Sequence, residues 1–512
     1  MLLTPCGRSE ARAAAVYLSI AAGDPLAQPS RPTRGIIVPA ADVADMDQIA
    51  FGTDGWRATL DTFTDERVRI VGQAIADHLD AAGHDEPVAV GYDARETSEG
   101  FAESLAEVFA GNGFDVILPE RDAPTPVIAH AIVDRGLAGA CMITASHNPP
   151  EYNGVKFIPH DGAPALPDVT EDVVDRLAEP DLLPEAERGD ISRVDLVSEH
   201  ADAAREVVGR VAGDGDGVDL DGLTVAYDAM HGSGRGVTDA LLESAGAEVE
   251  RLRCERDVTF GGDSPEPSAQ HLGELAERVT DPESDVDLGI ANDGDADRIA
   301  VVTPERGVLD ANLFYAACYD RLLETDSGPA VRTVSTTFLV DRIAEAHGEA
   351  VYETPVGFKW VAEAMGEHDA LFGGEESGGF TLRGHVREKD GVLMGLLAAA
   401  THAAEPFDAR VDRLLDEHGH IAAGKVSLDC PDDRKEAVLD ELEDHIPEAV
   451  GGSPVAKVVT LDGFKLLLES GSWLLVRPSG TEPKLRVYAE ADSDEAVDDL
   501  LAEGRDLVEP LV

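Results

Sequence analysis

Residues 137–150 read Leu-Ala-Gly-Ala-Cys-Met-Ile-Thr-Ala-Ser-His-Asn-Pro-Pro, and the interpretation of the chain starts from this stretch. The small apolar run at 137–143 is typical of a buried strand. Two successive prolines forbid helix and ladder hydrogen bonds, and Asn153-Gly154 turns the chain back toward Lys156. The pattern predicts that Ser146 lies on a turn after a strand, with a histidine and a lysine close by. A turn with a capping serine is the alternative that the segment alone leaves open.

Helical and strand-like stretches alternate from residue 51 onward, which favours mixed or parallel sheets covered by helices. A chain of 512 residues suggests three or four domains at about 150 residues each. After the last glycine-rich joint, strands precede and follow one predicted helix at 434–445, so this block is expected to be α+β. Other helices are predicted at 67–82 and 100–111, and other strands at 87–92, 114–119, 224–227, 287–291, 333–335 and 473–476.

The net charge of -60 arises from 101 acidic and 41 basic side chains. Such a surface is a poor partner for nucleic acid and anionic membranes, and no apolar run of about 18 residues predicts a membrane span. High salt shortens the Debye length to about 3 Å at 1 M, so the composition predicts a halophilic protein that is unstable at low salt. Five scattered cysteines without a Cys-x-x-Cys pair favour a reducing cytoplasm.

Residues 1–45 differ from the rest of the chain, because their four arginines balance their four acidic residues. We predict that residues 1–45 form a disordered N-terminal extension, with Met46 as the candidate natural start. A signal peptide is the alternative interpretation, and Glu10 in the region before the apolar stretch counts against it.

Asp293-Gly294-Asp295-Ala296-Asp297-Arg298 lies between two apolar strand-like runs, at 288–291 and 299–302. Carboxylates at alternate positions of an extended loop can converge on one hard cation, which prefers oxygen ligands. An EF-hand calcium loop would need glycine at the sixth position and glutamate at the twelfth, where this chain has Arg298 and Pro304. The loop is therefore predicted to hold Mg²⁺, with a solvated acidic turn as the alternative.

Four further loops carry groups suited to a phosphorylated sugar. Residues 477–483, Arg-Pro-Ser-Gly-Thr-Glu-Pro, offer hydroxyls, backbone N–H groups and a guanidinium to a phosphate. Residues 373–379, Gly-Gly-Glu-Glu-Ser-Gly-Gly, offer carboxylates to sugar hydroxyls. Residues 354–360 place Lys359 beside aromatic residues, and residues 51–57 end in an arginine. In so acidic a chain these bases indicate an anionic substrate, and the loops together predict phosphoryl transfer on a sugar phosphate.

In this order the loops resemble the α-D-phosphohexomutase family, which includes phosphoglucomutases, phosphomannomutases and phosphoglucosamine mutases. The resemblance covers residues 46–512. It implies an α/β fold of three related α/β domains with mixed sheets, plus a smaller C-terminal α+β domain, around a central cleft. The implied domains are residues 46–200 (domain I, phosphoserine loop), 201–305 (domain II, metal loop), 306–420 (domain III, sugar-binding loops) and 421–512 (domain IV, phosphate-binding loop).

The resemblance also implies a role for each matching residue. Ser146 would carry a phosphoryl group, pass it to the sugar phosphate, and receive the other phosphate after the 1,6-bisphosphate has reoriented. Lys156 is expected to act in proton transfer in preference to His147, which has no evident triad partner. The implied sets are Ser146, Asp293, Asp295 and Asp297 for Mg²⁺; Ser146, Lys156, Arg57 and Arg298 for catalysis; and Lys359, Glu375, Ser377, Arg477, Ser479, Gly480 and Thr481 for the substrate.

Gly-Phe-Lys-Trp at 357–360, Gly-Glu-Glu-Ser-Gly-Gly at 374–379 and Trp56 resemble phosphoglucomutases within the family. The expected protein is a cytoplasmic phosphoglucomutase, monomer or homodimer, that interconverts glucose 1-phosphate and glucose 6-phosphate through glucose 1,6-bisphosphate. Phosphomannomutase and phosphoglucosamine mutase activities are the nearest alternatives. A sugar-phosphate phosphatase and a non-catalytic phosphosugar-binding protein are the others.

Overall fold

Four separate sheets organise the chain. The structure is a computed structural model that describes residues 46, 48–52, 55–212, 217–480 and 482–512. The predictions made for residues 1–45 and for Thr481 therefore lie outside the described residues. Among the helices within these ranges, none is long and apolar enough to cross a membrane.

The first sheet has six strands in the order β1-β5-β4-β2-β3-β6. The central strands β2 and β4 are buried along their whole length and run parallel, with Tyr92 paired to Ile143. Because the two strands end side by side, the polar loops that begin at Asp93 and Thr144 emerge next to each other. The elements are β1 Trp56–Thr59, α1 Asp65–Ala82, β2 Val88–Tyr92, α2 Ser98–Gly111, β3 Val116–Pro119, α3 Thr125–Arg135, β4 Gly139–Ile143, β5 Tyr152–Pro159, α4 Pro167–Asp175, β6 Ile191–Val194 and α5 Val197–Val211.

The second sheet has five strands in the order β11-β10-β9-β7-β8. Parallel pairing of β7 with β8 and β9 gives way to the antiparallel β9–β10 hairpin, whose connection is the acidic loop at 293–298. Both hairpin strands are buried throughout, so the loop is anchored at each end. The elements are β7 Thr224–Asp228, α6 Thr238–Ser244, β8 Glu248–Leu252, α7 Gly273–Thr280, β9 Leu288–Asn292, β10 Ile299–Thr303 and β11 Gly307–Val308.

The third sheet has four strands in the order β13-β12-β14-β15. The first three run parallel, and β15 returns antiparallel to β14 after the loop at 375–379. The elements are α8 Ala311–Leu323, β12 Ala330–Thr333, α9 Leu339–His347, β13 Val351–Thr354, α10 Phe358–His368, β14 Phe372–Gly374, β15 Phe380–Leu382, α11 Gly391–Ala404 and α12 Phe407–His418.

The last sheet has six strands, all antiparallel, in the order β16-β21-β20-β19-β18-β17. One hydrophobic core cluster, which includes Leu474 and Leu500, packs this sheet against its helices. The elements are β16 Ala422–Asp429, α13 Asp432–Glu443, β17 Ala449–Val450, β18 Ser453–Val459, β19 Phe464–Leu468, β20 Trp473–Pro478, β21 Lys484–Ala491 and α14 Asp494–Val508.

The predicted fold class is confirmed: three α/β units with mixed sheets precede a smaller α+β unit. Two predicted elements differ in position. The strand predicted at 333–335 ends at Thr333, because its hydroxyl binds those of Ser335 and Thr336 and the chain turns there. The helix predicted at 434–445 begins at Asp432, directly after Pro431. The second helix of this last unit, α14, was not among the predicted elements. The domain boundaries given above stay a prediction.

Candidate active site

Ser146 lies in the turn after β4 with a left-handed backbone. Its φ is 52°, a conformation that costs a non-glycine residue energy and is concentrated at functional sites. The serine is 1% exposed, and its Oγ donates to Oδ2 of Asp293 over 2.8 Å. Its backbone N–H donates to Oγ1 of Thr144 over 2.8 Å. The turn therefore points the serine hydroxyl at the acidic loop of the second sheet.

Arg95 holds this turn from behind. Its guanidinium donates to four carbonyl oxygens of the Ser146 loop: those of residues 146, 148 and 149 at 2.7 Å and that of residue 152 at 3.1 Å. Its Nε donates to Asp93 over 3.0 Å, and both side chains are buried. Since an arginine presents a rigid fork of donors, five bonds from one side chain fix the loop as a unit.

The acidic loop brings three buried aspartates together. One carboxylate oxygen each from Asp293, Asp295 and Asp297 lies within 4.8 Å of the others. Ala296, between them, has a φ of 52°. A Cβ at Gly294 would lie 2.6 Å from the carbonyl oxygen of Ser146, so only glycine lets the two loops approach this closely.

The three carboxylates suit a hard cation. Within the described ranges, Oδ1 of Asp295 and Oδ1 of Asp297 are buried without a hydrogen-bond partner, and Mg²⁺ prefers such oxygen ligands. Burial, followed by the charges of Asp295 and Asp297, raises the pKa of Asp293 well above its usual value. A bound dication would reverse that shift, because it favours the ionised carboxylate.

Lys156 links β5 to the same loop. Its Nζ donates to Asp295 over 3.1 Å and to Asp297 over 2.8 Å, and Thr125 at the start of α3 donates to Asp295 over 2.7 Å. Burial opposes ionisation of Asp295, but Lys156 and Thr125 outweigh it and hold the pKa of Asp295 below its usual value. The loop thus combines one carboxylate that resists ionisation with one that favours it.

Three other basic residues contact the Ser146 loop or the acidic loop. Arg57, on β1, donates to the side chain of Asn148 over 3.3 Å, while the backbone N–H of Arg298 donates to Asp293 over 3.1 Å. Nζ of Lys389 lies 3.4 Å from Oδ2 of Asp297. His147 places Nδ1 3.3 Å from Oγ of Ser146, and the positive charge of Arg298, with burial, lowers the pKa of His147 to about 2. His147 is therefore a neutral group within reach of the serine.

The two predicted sugar loops contact each other and the acidic loop. Oε1 of Glu375 accepts from the backbone N–H of Gly357 over 2.9 Å, and Ser377 donates to Oε2 of Glu375 over 3.3 Å. The backbone N–H of Ile299, directly after the acidic loop, donates to the carbonyl oxygen of Gly378 over 3.0 Å. Lys359 is half-buried beside Trp360 in the first turn of α10. The Glu375 side chain thus joins the two sugar loops, and a backbone hydrogen bond joins one of them to the predicted metal loop.

The predicted phosphate loop follows β20. Nε of Arg477 donates to Asp462 over 2.9 Å, and the same carboxylate accepts from the backbone N–H of Val356 over 3.0 Å. Asp462 therefore joins the phosphate loop to the loop that carries Lys359. Ser479 is buried and Gly480 exposed in the same loop, and Thr481 lies outside the described residues.

Sequence reasoning missed several residues that hold these loops. Lys389 lies in the run Arg387-Glu388-Lys389-Asp390, which resembles a solvated turn, although Glu388, Lys389 and Asp390 are buried. Arg95 lies in a polar segment directly after β2. That position after a buried strand is the sequence feature that could have marked it as a candidate site residue. The other missed residues, which no motif marks, are Thr125, Asp462 and Lys435, whose Nζ donates to the carbonyl oxygens of Ser479 and Glu482.

Sequence profiles of four domain families match the chain. They are described as phosphoglucomutase/phosphomannomutase alpha/beta/alpha domain I at residues 48–183, domain II at 212–307, domain III at 310–418 and the C-terminal domain at 426–507. Together they span most of the sequence.

Individual proteins match over similar lengths. A phosphoglucosamine mutase of Methanopyrus kandleri, described as probable, is 32% identical, with 90% of this chain and 97% of the relative covered. A phosphoglucomutase of Komagataeibacter xylinus is 30% identical, with 87% of each chain covered. A solved structure from Thermus thermophilus, described as a putative phosphomannomutase, has a TM-score of 0.76 and 32% identity, covering 90% of this chain and 99% of its own.

Proposed function

Because the chain belongs to the α-D-phosphohexomutase family, whose members are isomerases that move a phosphoryl group, we propose that it is a phosphoglucomutase. Its substrates would be glucose 1-phosphate and glucose 6-phosphate, with glucose 1,6-bisphosphate as intermediate and activator. The observation that carries this proposal is the hydroxyl of Ser146, held in a left-handed turn 2.8 Å from Asp293 of a buried three-aspartate loop. A phosphoryl carrier needs such a fixed nucleophile beside a cation site.

The proposed cycle starts from Ser146 as phosphoserine. The free hydroxyl of the sugar phosphate attacks this phosphorus, the bond from phosphorus to Oγ breaks, and the attacking hydroxyl gives up its proton. The resulting bisphosphate reorients, Oγ of Ser146 attacks the other phosphorus, and the departing sugar oxygen takes a proton. We assign this proton exchange to Lys156, whose Nζ is shared between two carboxylates.

The aspartates at 293, 295 and 297, with the serine phosphate, would hold Mg²⁺. When bound, the ion supplies Lewis-acid stabilisation of the charge on the transferring phosphoryl group. Arg57 and Arg298, which flank the Ser146 loop, would add fixed positive charge at the same place. The residues thus supply positioning and electrostatics, which is what phosphoryl transfer requires of a protein.

Substrate binding would be divided between the other two loops. Glu375 would accept hydrogen bonds from sugar hydroxyls and Ser377 would donate to them, with Lys359 nearby. The non-reacting phosphate would bind to Arg477, Ser479, Gly480 and Thr481. Trp56 gives no support to glucose specificity, because it is buried against Phe63 with ring centroids 4.7 Å apart. The proposal of glucose therefore rests on the sequences of the two sugar loops.

The test measures both the product and the phosphorylated residue. Glucose, mannose and glucosamine 1-phosphates are assayed separately with Mg²⁺ and a trace of the matching bisphosphate, while labelled glucose 1,6-bisphosphate is used to trace phosphoryl transfer to the protein. We expect the highest kcat/KM with glucose 1-phosphate, label on Ser146, and loss of both turnover and label in Ser146→Ala. Ser192→Ala, an exposed serine on β6, is the matched control.

Each contrary outcome has a separate meaning. Faster turnover of mannose or glucosamine 1-phosphate would replace glucose as the substrate. Release of inorganic phosphate without an isomerised sugar would identify a phosphatase. Mutase turnover by a folded Ser146→Ala variant would exclude the phosphoserine cycle.

A further inference from the structure

A buried cluster of histidines and one aspartate lies beside the proposed site and has no role in the cycle above. Nε2 of His200, on α5, lies 2.6 Å from Oδ2 of Asp390, and Nε2 of His385 lies 2.9 Å from the same oxygen. The side chains of His200 and Asp390 are fully buried, and that of His385 is 1% exposed. One carboxylate oxygen thus accepts hydrogen bonds from histidines that are 185 positions apart in the chain.

A third imidazole packs against this pair, and the helix that carries it contacts the acidic loop. His130 stacks on His385 with ring centroids 5.4 Å apart and meets His200 edge-on at 5.6 Å. It lies on α3, whose first residue, Thr125, donates to Asp295. The same helix therefore contacts the histidine cluster and one proposed metal ligand.

Asp390 begins the turn that leads into α11. Its Oδ1 accepts from the backbone N–H of Leu393 over 2.7 Å and so caps the helix. The next residue, Gly391, donates its N–H to the carbonyl oxygen of Ala296 over 3.1 Å, inside the acidic loop. A Cβ at Gly391 would lie 2.4 Å from the carbonyl oxygen of Arg298, so the backbone of this turn is pressed directly against that loop.

Lys389 precedes Asp390 and carries charge into the site, with Nζ 3.4 Å from Oδ2 of Asp297. Burial alone would raise the pKa of Asp390, but the two imidazoles outweigh it and hold that pKa below its usual value. Asp390 is therefore an ionised acceptor. Its orientation depends on two donors, His385 five positions before it and His200 on a helix 190 positions earlier in the chain.

We propose that His200 and His385 are positioning residues for phosphoryl transfer: by clamping Asp390 they fix the 389–391 turn, which presents Lys389 and Gly391 to the acidic loop. This inference rests on the proposed function. Removing one donor leaves a buried carboxylate short of a partner, and it relaxes by shifting the turn. Since a misplacement of about 1 Å in the reacting groups can lower the rate roughly 100-fold, we expect the substitution to lower kcat.

The test uses a matched pair of substitutions at His385. His385→Gln places an amide N–H where Nε2 was, whereas His385→Leu has similar bulk and no donor. We expect His385→Leu to lower kcat about 10- to 100-fold with KM changed less than about twofold, and His385→Gln to recover most of kcat. His402→Leu, a buried histidine of α11 outside the cluster, is the control and should keep kcat.

Several results would overturn the proposal. A purely structural role would give His385→Leu and His385→Gln the same kcat at a temperature where both are folded by circular dichroism. A rise in KM without loss of kcat would place the effect in substrate binding. One equivalent of zinc in the purified protein, lost in His200→Leu, would show that the cluster coordinates a metal. If the wild-type chain lacks mutase activity, the proposed function fails; if it is active and the pair is equal, only this inference fails.

Discussion

The Ser146 loop and the proposed phosphate loop at 477–483 each contain carbonyl oxygens that accept hydrogen bonds from one basic side chain, but the two clamps differ in burial and in number of contacts. Arg95 is 1% exposed and contacts four carbonyl oxygens of the Ser146 loop. Lys435, on α13, has a side chain that is 13% exposed, and it contacts two loop carbonyl oxygens, those of Ser479 and Glu482, each at 2.6 Å, together with the exposed carboxylate of Asp432 at 2.5 Å.

The surroundings of the two loops differ in the same way, since the Ser146 loop is again the more buried of the two. The Ser146 loop is pressed against a buried acidic loop, and the serine itself has a strained φ of 52°. The proposed phosphate loop lies on an antiparallel sheet, includes an exposed glycine, and contacts the neighbouring unit through Asp462. The loop proposed to react thus has more buried contacts than the loop proposed to bind, and we expect the binding loop to adjust more readily. That division suits a cycle in which the same phosphate loop must accept a substrate in two orientations.

The largest effect should come from the rigid clamp. Replacing Arg95 by Met leaves Asp93 buried without its cation and frees four loop carbonyls, so we expect a loss of about 3–5 kcal/mol in the free energy of unfolding. The Ser146 turn should relax, and kcat should fall more than KM rises. Urea denaturation gives the stability, and steady-state kinetics at low denaturant gives kcat.

Arg188→Met, at an exposed arginine shortly before β6 of the first sheet, serves as the control for charge removal. If Arg95→Met unfolds as the wild type does and keeps its kcat, then the Ser146 loop does not depend on its clamp, and the contrast between the two loops disappears.

The sequence was sufficient to predict the features of the site that depend on residues close together in the chain. A buried strand followed by a proline-terminated turn placed Ser146 correctly, since strand and turn signals lie within a few residues of each other. The alternate aspartates at 293, 295 and 297 converge as expected, because both flanking strands are buried and anchor a short loop. The alternation of helical and strand-like stretches was sufficient to predict sheets covered by helices, whereas the arrangement of three related domains and a smaller fourth was implied by the family resemblance.

The clamps could not be found in this way, since their contacts join residues far apart in sequence. Arg95 and Ser146 are 51 positions apart, and Lys435 and Ser479 are 44 apart. Lys389 lies in a charged run that resembles a surface turn, and only the packing of the 389–391 turn on the acidic loop explains its burial. A single sequence does not report which charged residues gain buried partners.

The second effect tests the binding loop. Arg477→Gln removes a buried guanidinium proposed to hold the non-reacting phosphate, and hydrogen bonds to charged groups are worth about 1.5–3 kcal/mol. We expect KM to rise about 10- to 100-fold, while kcat at saturation changes less than about threefold. Arg505→Gln, an exposed arginine of α14, is the matched control. A large fall in kcat with unchanged KM would instead place Arg477 with the reacting groups.

The smallest effect should come from the looser clamp. Lys435→Met removes two hydrogen bonds to loop carbonyls and an ion pair with the exposed Asp432. Because the site is partly exposed, water can replace the ammonium, so we expect the free energy of substrate binding to weaken by about 1 kcal/mol. We expect KM to rise about fivefold, with kcat and the melting temperature close to those of the wild type, and Lys457→Met, an exposed lysine of β18, to leave both constants unchanged. A loss of stability as large as that of Arg95→Met would mean that both loops are rigidly clamped. The adjustable character of the phosphate loop would then have to arise from movement of its whole sheet.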